Sequence, residues 1–305
     1  MNARISVVIP TYNRYEDLYE CLHSIFALKV KPYEVIVVDS NSMDETGKLK
    51  DCFPIKFVSI KERSRQHARN LGISMASGDI IAFLDDDVVV CEEWLNQIVK
   101  PYVNDSVGGV GGRVIAYGTS NKFYVKIGRG NVGRIFSNGL VIGNFDLPSR
   151  NLIAVDSFIG CNMSFGRELL LKVGGFDENY AGTGYRDDTD LCIRIRRLGY
   201  KLVYNPKALV YHKFRGKRVS GKWSYWYVRN HVYFYFKNLF AQNRLSFPMF
   251  LYYMFMPPRD YVLKSEVKLK IEPMLVLNVL KGLFDGYKTW QKSMQVKQCN
   301  DSGIF

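Results

Sequence analysis

Apolar positions come in short runs separated by stretches with helical spacing. Ile5-Ser-Val-Val-Ile-Pro10 is apolar and β-branched, the pattern of a strand buried on both faces. Residues 16–28 follow, with Leu18, Leu22, Ile25 and Phe26 near helical spacing. Glu34-Val-Ile-Val-Val-Asp39 reads as a second buried strand and residues 55–60 as a shorter third. Residues 65–76 read as a helix stopped by Ser77-Gly78, and Asp79-Ile-Ile-Ala-Phe-Leu84 as a fourth strand that runs into three aspartates. Residues 92–102 are again helical. This alternation predicts an α/β fold with a Rossmann-like, mostly parallel, doubly wound sheet flanked by helices.

The pattern loosens after that. Residues 108–150 are rich in Gly and Asn, and hold one expected strand, 111–117, and a long irregular insertion. A strand over 158–165 and a short helix over 167–173, ended by Gly174-Gly175, come next. A helix over 188–198 is closed by Gly199, and a strand over 201–211 is broken at Pro206. Beyond His212 the composition changes. Residues 223–261 carry 15 of the chain's 43 aromatics, with helical spacing there and again over 274–290. Two units are expected: a catalytic-type domain over 1–212 and a helical, aromatic-rich basic extension over 213–305.

Length and composition narrow the class. With 305 residues, 47% hydrophobic and 23% charged, the chain has globular composition and enough length for a real core. No apolar stretch reaches the roughly 18–20 residues of a membrane span; the longest, 247–256, is about half that. Met1-Asn2-Ala3-Arg4 leads straight into strand-like sequence, so no signal peptide is expected. Six cysteines without a CxxC pair argue against a disulfide framework or a zinc site and fit a reducing cytoplasm. The net charge of +13 is uneven: 26 Lys+Arg against 24 Asp+Glu in 1–212, but 16 against 5 in 213–305. Nucleic acid or an anionic membrane surface is the usual partner of such a patch.

In an open parallel sheet, ligands bind at the carboxyl ends of the strands. Three predicted strands end there in polar groups: Thr11-Tyr12-Asn13-Arg14, Asp39-Ser40-Asn41-Ser42 and Asp85-Asp86-Asp87. Asp39 would accept from a base or ribose donor, and Tyr12 would pack on a base face. Three adjacent carboxylates repel, and a cation relieves them. In an extended segment Asp85 and Asp87 point to the same side, and two carboxylates plus diphosphate oxygens suit Mg2+ or Mn2+. A second acidic cluster, Tyr185-Arg186-Asp187-Asp188-Thr189-Asp190, follows the Gly-rich stretch 181–184 and opens a helix. A carboxylate there is a sensible general base for an acceptor hydroxyl. No GxxxxGK[ST] loop, no GxGxxG after the first strand and no GxSxG elbow is present, which disfavours P-loop, ordinary dinucleotide and Ser-hydrolase chemistry.

These pieces together resemble glycosyltransferase family 2, with the GT-A nucleotide-diphospho-sugar transferase fold, over residues 5 to about 212. The resemblance is carried in order by Val7-Val-Ile-Pro-Thr-Tyr-Asn-Arg14, Val37-Val-Asp39-Ser-Asn-Ser42, Arg65-Gln-His-Ala-Arg-Asn-Leu-Gly72, Phe83-Leu-Asp-Asp-Asp87, Gly174-Gly-Phe-Asp-Glu178 and Asp187-Asp188-Thr-Asp-Leu-Cys-Ile-Arg194. The last piece departs from the family's Glu-Asp pair, reading Asp187-Asp188. The resemblance implies that Pro10, Tyr12, Asn13, Asp39, Arg65, Arg69, Asp85 and Asp86 serve the nucleotide-sugar. It implies Asp87 as the main metal ligand with Asp85, and His212 as a further metal or diphosphate contact. Asp187 and Asn162 would stand on the acceptor side, and Asp188 would be the base of an inverting transfer. The implied cofactor is Mg2+ or Mn2+, the donor a nucleotide-diphospho-sugar, and the acceptor a lipid-linked or cell-surface glycan.

Tyr225-Trp226-Tyr227-Val-Arg229-Asn230 resembles a segment that follows the catalytic domain in members that build bacterial polysaccharides. Its setting, basic and aromatic between Trp223 and Tyr261, suggests peripheral contact with the cytoplasmic face of a membrane. Nucleic acid is not an expected partner, because the aromatics form no recognisable nucleic-acid module. Two alternatives stay open at this level: a non-catalytic basic and aromatic binding protein, and a nucleotidyltransferase on a similar sheet.

Overall fold

Every residue of β1 (Ile5–Thr11) is buried, because helices cover both faces of the sheet it centres. Val7 and Ile9 point into one apolar cluster and Val8 into the other, as the two-residue strand period requires. The computed structural model describes residues 3–118, 130–214, 221–255 and 273–301. After β1 come α1 (Tyr15–Ala27), β2 (Glu34–Asp39), β3 (Lys56–Ser59), α2 (Arg65–Met75), β4 (Ile80–Leu84), β5 (Val88–Val90), α3 (Trp94–Val99) and β6 (Val107–Gly118). A hairpin of β7 (Arg134–Ile135) and β8 (Val141–Ile142) leads to β9 (Ile153–Val155), β10 (Asn162–Gly166), α4 (Arg167–Lys172), α5 (Asp187–Arg197) and β11 (Lys201–Phe214). The extension holds α6 (Gly221–Tyr235), a π-helical turn over Phe236–Phe240, α7 (Phe247–Phe255) and α8 (Pro273–Asp301).

Eight strands run in the order β3-β2-β1-β4-β10-β6-β11-β5, with β9 paired to β11. β3, β2, β1, β4, β6 and β11 point one way, while β10, β5 and β9 run against them, so the sheet is mostly parallel. The carboxyl ends of β1, β2 and β4 therefore share one edge of the sheet.

Several expected elements shift. The strand expected over 158–165 is paired only over Asn162–Gly166. The helix expected over 92–102 is α3 followed by a 3-10 turn at Lys100–Val103, where Pro101 interrupts the hydrogen-bond ladder. Pro206 does not break β11; the register against β6 slips between Asn205 and Leu209, and this bulge absorbs the missing N–H. The insertion after β6 contains the β7–β8 hairpin, and its first part, 119–129, lies outside the described residues.

Among the described residues, most aromatics of α6, the π-helical turn and α7 pack into a core. Tyr233, Phe234, Tyr235 and Phe250 are buried, and they join α6 and α7 to Tyr180, Ile193 of α5 and Val141 of β8. Burial in a shared core, and not a membrane face, accounts for this part of the dense aromatic run. Its last residues, 256–261, lie outside the described residues.

Candidate active site

The acidic trio leaves β4 and meets His212 because of strand pairing. β5 starts right after Asp87 and runs antiparallel to β11 with Val88 opposite His212. Asp87 Oδ1 consequently lies 2.9 Å from His212 Nε2, and Asp87 Oδ2 accepts from Arg14 Nη1 at 2.9 Å. Burial alone would raise the Asp87 carboxyl, but His212 and Arg14 hold it below the usual carboxylate range. Burial pulls His212 down, and Asp87, with Asp85 farther off, more than reverses this. Asp86 turns the other way, toward β1, and accepts from Thr11 Oγ1 at 2.8 Å. Its burial, with Asp87 and Asp85 adjacent, pushes its carboxyl up to about 7.

Ligand atoms of Asp85, Cys161 and His212 lie within 4.8 Å of one another. Burial holds the Cys161 thiol well above its ordinary value, so it remains a protonated neighbour. With the thiol set aside, Asp85 and His212 remain from this cluster, and Asp87 Oδ1 lies 2.9 Å from His212 Nε2; together they make two carboxylates and an imidazole, a set that fits Mn2+ or Mg2+.

α2 supplies the opposite wall. Ser64 caps it by accepting from His67 N, and the first two turns then aim Arg65, Gln66 and Arg69 at one carboxylate. Asp187, almost fully buried, accepts from Gln66 Nε2 at 2.7 Å and from Arg65 Nη2 at 3.2 Å, with Arg69 Nη1 at 3.5 Å. Asp187 also accepts from the Asp188 backbone N–H at 2.7 Å, which fixes the start of α5. Arg69, wholly buried, donates to Asp85 Oδ1 and the Gly160 carbonyl, both at 2.9 Å. Burial opposes the charge of Arg65, yet Asp187, Asp85 and Asp188 together raise its pKa.

Asp188 is the half-exposed member of the acidic pair. Its Oδ1 accepts from Thr189 N at 2.6 Å and Thr189 Oγ1 at 3.1 Å, while Oδ2 stands over Gly160. Burial and the adjacent Asp187 raise its carboxyl, against the pull of Arg65 and Arg69.

Arg65, Asp85, Asp187, Asp188 and His212 line one cleft of about 470 Å3, and Trp223 of α6 is part of the same lining. The other predicted residues lie at the ends of β1 and β2. Pro10 is buried within β1, opposite Val38. Tyr12 is half-exposed with the Arg63 guanidinium 4.2 Å from its ring centre. Asn13, at φ 50°, accepts from Met43 N at 2.7 Å. Asp39 is buried, accepting from Ser59 Oγ at 3.1 Å and from the N–H and hydroxyl of Ser42.

Asn162 does not reach the acceptor side. It is fully buried, with its amide used up by Trp94 Nε1 and the carbonyls of Arg113 and Ala208, so it ties β10 to its neighbours. Conversely, Arg14, Gln66 and Trp223 take part in the site without having been assigned a role from sequence. Arg14 and Gln66 lay inside quoted motifs; for Trp223 no local signal exists.

The sequence profile of Glycosyl transferase family 2 matches residues 6–174, more than half of the chain, and a profile described as N-terminal domain of galactosyltransferase matches 148–217. A glucosyl-dolichyl phosphate glucuronosyltransferase of Haloferax volcanii is 28% identical over 248 residues, covering 73% of this chain and 74% of that protein. A pre-mycofactocin glycosyltransferase of Mycobacterium tuberculosis is 30% identical over 224 residues, 69% of this chain and 43% of its own length. A dolichol-phosphate mannosyltransferase of Pyrococcus furiosus is 31% identical over 153 residues, 48% and 42% respectively. The chain thus spans under half of the latter two. Among solved structures, a mannosyltransferase from Pyrobaculum calidifontis in complex with GDP-Man and Mn2+ superposes with a TM-score of 0.58 at 23% identity, covering 91% of this chain and 74% of that one. GalNAc-T7 with UDP, GalNAc and Mn2+ gives 0.61 at 20% identity, covering 80% and 51%. These likenesses establish the GT-A fold. With the profile match, they make this chain a member of glycosyltransferase family 2.

Proposed function

We propose that this glycosyltransferase moves a sugar from a nucleotide-diphospho-sugar to an acceptor hydroxyl with inversion at the anomeric carbon. The observation that carries the reading is that Asp188 and the Asp85–His212 pair line the same cleft from opposite elements. The nucleotide would lie over the ends of β1 and β2, against Pro10, Tyr12, Asn13, Asp39 and Asp86, and its diphosphate would point toward Asp85. Arg65, lining the cleft, balances anionic charge there, and Arg69 holds Asp85 from behind. Asp85, Asp87 and His212 would hold Mn2+ or Mg2+, which when bound neutralises charge on the departing diphosphate. Support for a divalent ion comes from this donor set and from the Mn2+ in both superposed structures.

Asp188 then takes the acceptor's proton as its oxygen attacks the anomeric carbon and the nucleotide diphosphate leaves. A carboxyl raised by burial is a better proton acceptor than an ordinary one. Asp187 does not face the acceptor freely; it is the anchor by which Arg65, Gln66 and Arg69 position Asp188. The acceptor is read as a lipid-linked or cell-surface glycan, in keeping with relatives named for dolichyl phosphates, and the setting as the cytoplasmic face of a membrane. Residues 1–212 form the catalytic unit. The extension contributes to the acceptor side through Trp223.

Asp188→Asn keeps the shape and removes proton acceptance. Turnover should drop roughly 10²–10⁴-fold, with binding of the donor nucleotide unchanged by calorimetry. Donor affinity falling in step with turnover would make Asp188 a nucleotide ligand instead.

A further inference from the structure

α8 is packed on one side only. Its inner side sets Val279, Gly282, Leu283, Gly286 and Trp290 against α6 and the π-helical turn. Outward, Leu277 is 61% exposed, Leu280 51%, Phe284 58% and Met294 42%. At about 100° per residue these side chains, with Tyr287, share an arc of roughly 100°. Lys281, Lys288 and Lys292 occupy the neighbouring arc of roughly 60°. The one acid between residues 277 and 296, Asp285, is turned away and accepts from Tyr225 Oη at 2.7 Å.

We propose that this outward stripe of α8 docks on an anionic lipid bilayer. Large apolar side chains aligned along an exposed helix face need a cover. The lysine flank decides which cover fits. Three ammonium groups beside the stripe complement anionic headgroups, whereas a second copy would bring the same uncompensated positive charge against itself. The residues 213–305 reinforce this, with 16 Lys+Arg against 5 Asp+Glu. Lys288 Nζ already sits 4.3 Å from the Phe284 ring centre, so ring and ammonium can enter the interface together, one at acyl depth and one at the headgroups. No helix among the described residues is long and apolar enough to cross a membrane, so the helix lies in the interface plane.

The position suits the proposed reaction without depending on it. α6 links α8 to the cleft: its Trp223 lines the cleft while its Tyr225 bonds Asp285 of α8. A bilayer on the outer side of α8 would bring a lipid-linked acceptor to the side of the molecule on which α6 reaches the cleft through Trp223.

The test is flotation of the full chain with phosphatidylcholine vesicles, with and without phosphatidylglycerol, at low and high salt. The protein should float with the anionic vesicles and be largely released by salt. Each lysine near an anionic leaflet changes partitioning roughly fivefold. A variant combining Lys281→Gln, Lys288→Gln and Lys292→Gln should therefore lose on the order of 100-fold in partitioning. Leu280→Asp with Phe284→Asp should abolish flotation. All five side chains are exposed, so the fold and the hydrolysis of the sugar-nucleotide donor in the absence of membrane should match the parent protein. Wild-type protein that never floats with anionic vesicles, or a Leu280→Asp/Phe284→Asp variant that floats equally well, would overturn the proposal. A dimer that these two substitutions dissociate, without vesicle binding, would assign the stripe to a second copy and overturn it as well. Flotation without donor hydrolysis would sink the catalytic reading and leave the docking surface standing.

Discussion

Asn230 Nδ2 donates to the Ala181 carbonyl at 2.9 Å, tying α6 to the loop that delivers Asp188. The tie is one of several. Arg229 Nη1 donates to the Asn179 carbonyl, and Arg229 Nη2 to Thr289 Oγ1 of α8 at 2.9 Å. Arg186 Nε donates to His231 Nδ1 at 3.1 Å; burial and the Arg186 charge keep that imidazole neutral, as an acceptor must be. Gly182, at φ 68°, lies flat against Trp226, and a Cβ there would come 2.2 Å from the ring. Residues 226, 229 and 230 lie on one helix face, so α6 clamps the loop from Asn179 to Arg186 along its length.

Asn230→Ala removes the donor to Ala181 and leaves a carbonyl without its partner, at a cost of about 1–3 kcal/mol. Because the loop and not the nucleotide site loosens, kcat should fall several-fold while the KM for the donor stays near the parent value. Steady-state kinetics on the donor decide. A rise in donor KM with unchanged kcat would place Asn230 outside the catalytic loop's control. By the same logic a chain ending near residue 214 should lose solubility, since it uncovers Tyr180, Ile193 and Val141.

Asp87→Asn should abolish turnover while the fold survives with a lowered melting temperature, since the variant loses the charge that pairs with His212 and Arg14. The amide still fills the space between His212 and Arg14 but brings no charge to a cation. The diagnostic readout is nucleotide diphosphate binding, which should become insensitive to added Mn2+. Near-normal turnover at saturating Mn2+ would remove Asp87 from the ligand set.

The first half of this picture was legible because its strands are buried on both faces, which makes apolar runs such as 5–10, 34–39 and 79–84 hard to misread. The polar groups that follow those strands come to one edge of the sheet because β1, β2 and β4 run parallel. What escaped were contacts between distant segments. Val88–Val90 is too short to announce a strand, yet its pairing with β11 is what brings Asp87 to His212. Asn162 looked like a polar residue near the acceptor, but its amide bridges three strands and faces no solvent. The aromatics after Trp223 suggested an interface through composition alone. Only the packing of α6 against Tyr180 and Ile193 reveals most of them as core, and moves the exposed apolar face to α8.

Gly282 and Gly286 let α8 pack close against α6, and Gly286 is the tighter of the two. A Cβ at this position would lie 2.5 Å from the Arg229 carbonyl oxygen and 2.8 Å from Val232 Cβ. Gly286→Ala gains about 1 kcal/mol in helix propensity. Overpacking against backbone costs about 1–3 kcal/mol, so a net loss of about 1 kcal/mol is expected. A lower denaturant midpoint at unchanged m-value confirms it; a raised midpoint would mean that the crossing is loose. Since Arg229 carries the clamp, activity should fall with stability.

Asp177 offers a pH signature of the joint between the extension and the catalytic unit. It accepts from Lys237 Nζ at 2.6 Å, Tyr233 Oη at 2.7 Å and Asn179 N at 2.9 Å. Burial works to raise its carboxyl, but Lys237 and these donors prevail and hold it at about 2, below the ordinary 3.8. A carboxyl lowered by folding stabilises the native state above its unfolded pKa, and the stabilisation is lost as pH falls through the folded value. The gap corresponds to about 2 kcal/mol, present in full above about pH 5, mostly lost by about pH 2 and gone near pH 1. Asp190, which shares Lys237, is lowered in the same direction, so the wild-type curve alone mixes the two. Comparison with Asp177→Asn separates them. Unfolding free energies from denaturant titration should differ between the two proteins by about 2 kcal/mol near neutrality, with the difference shrinking toward zero as the pH falls through about 2. A difference that stays constant across this range would mean that shape and hydrogen bonding, and not the Asp177 charge, hold the extension in place.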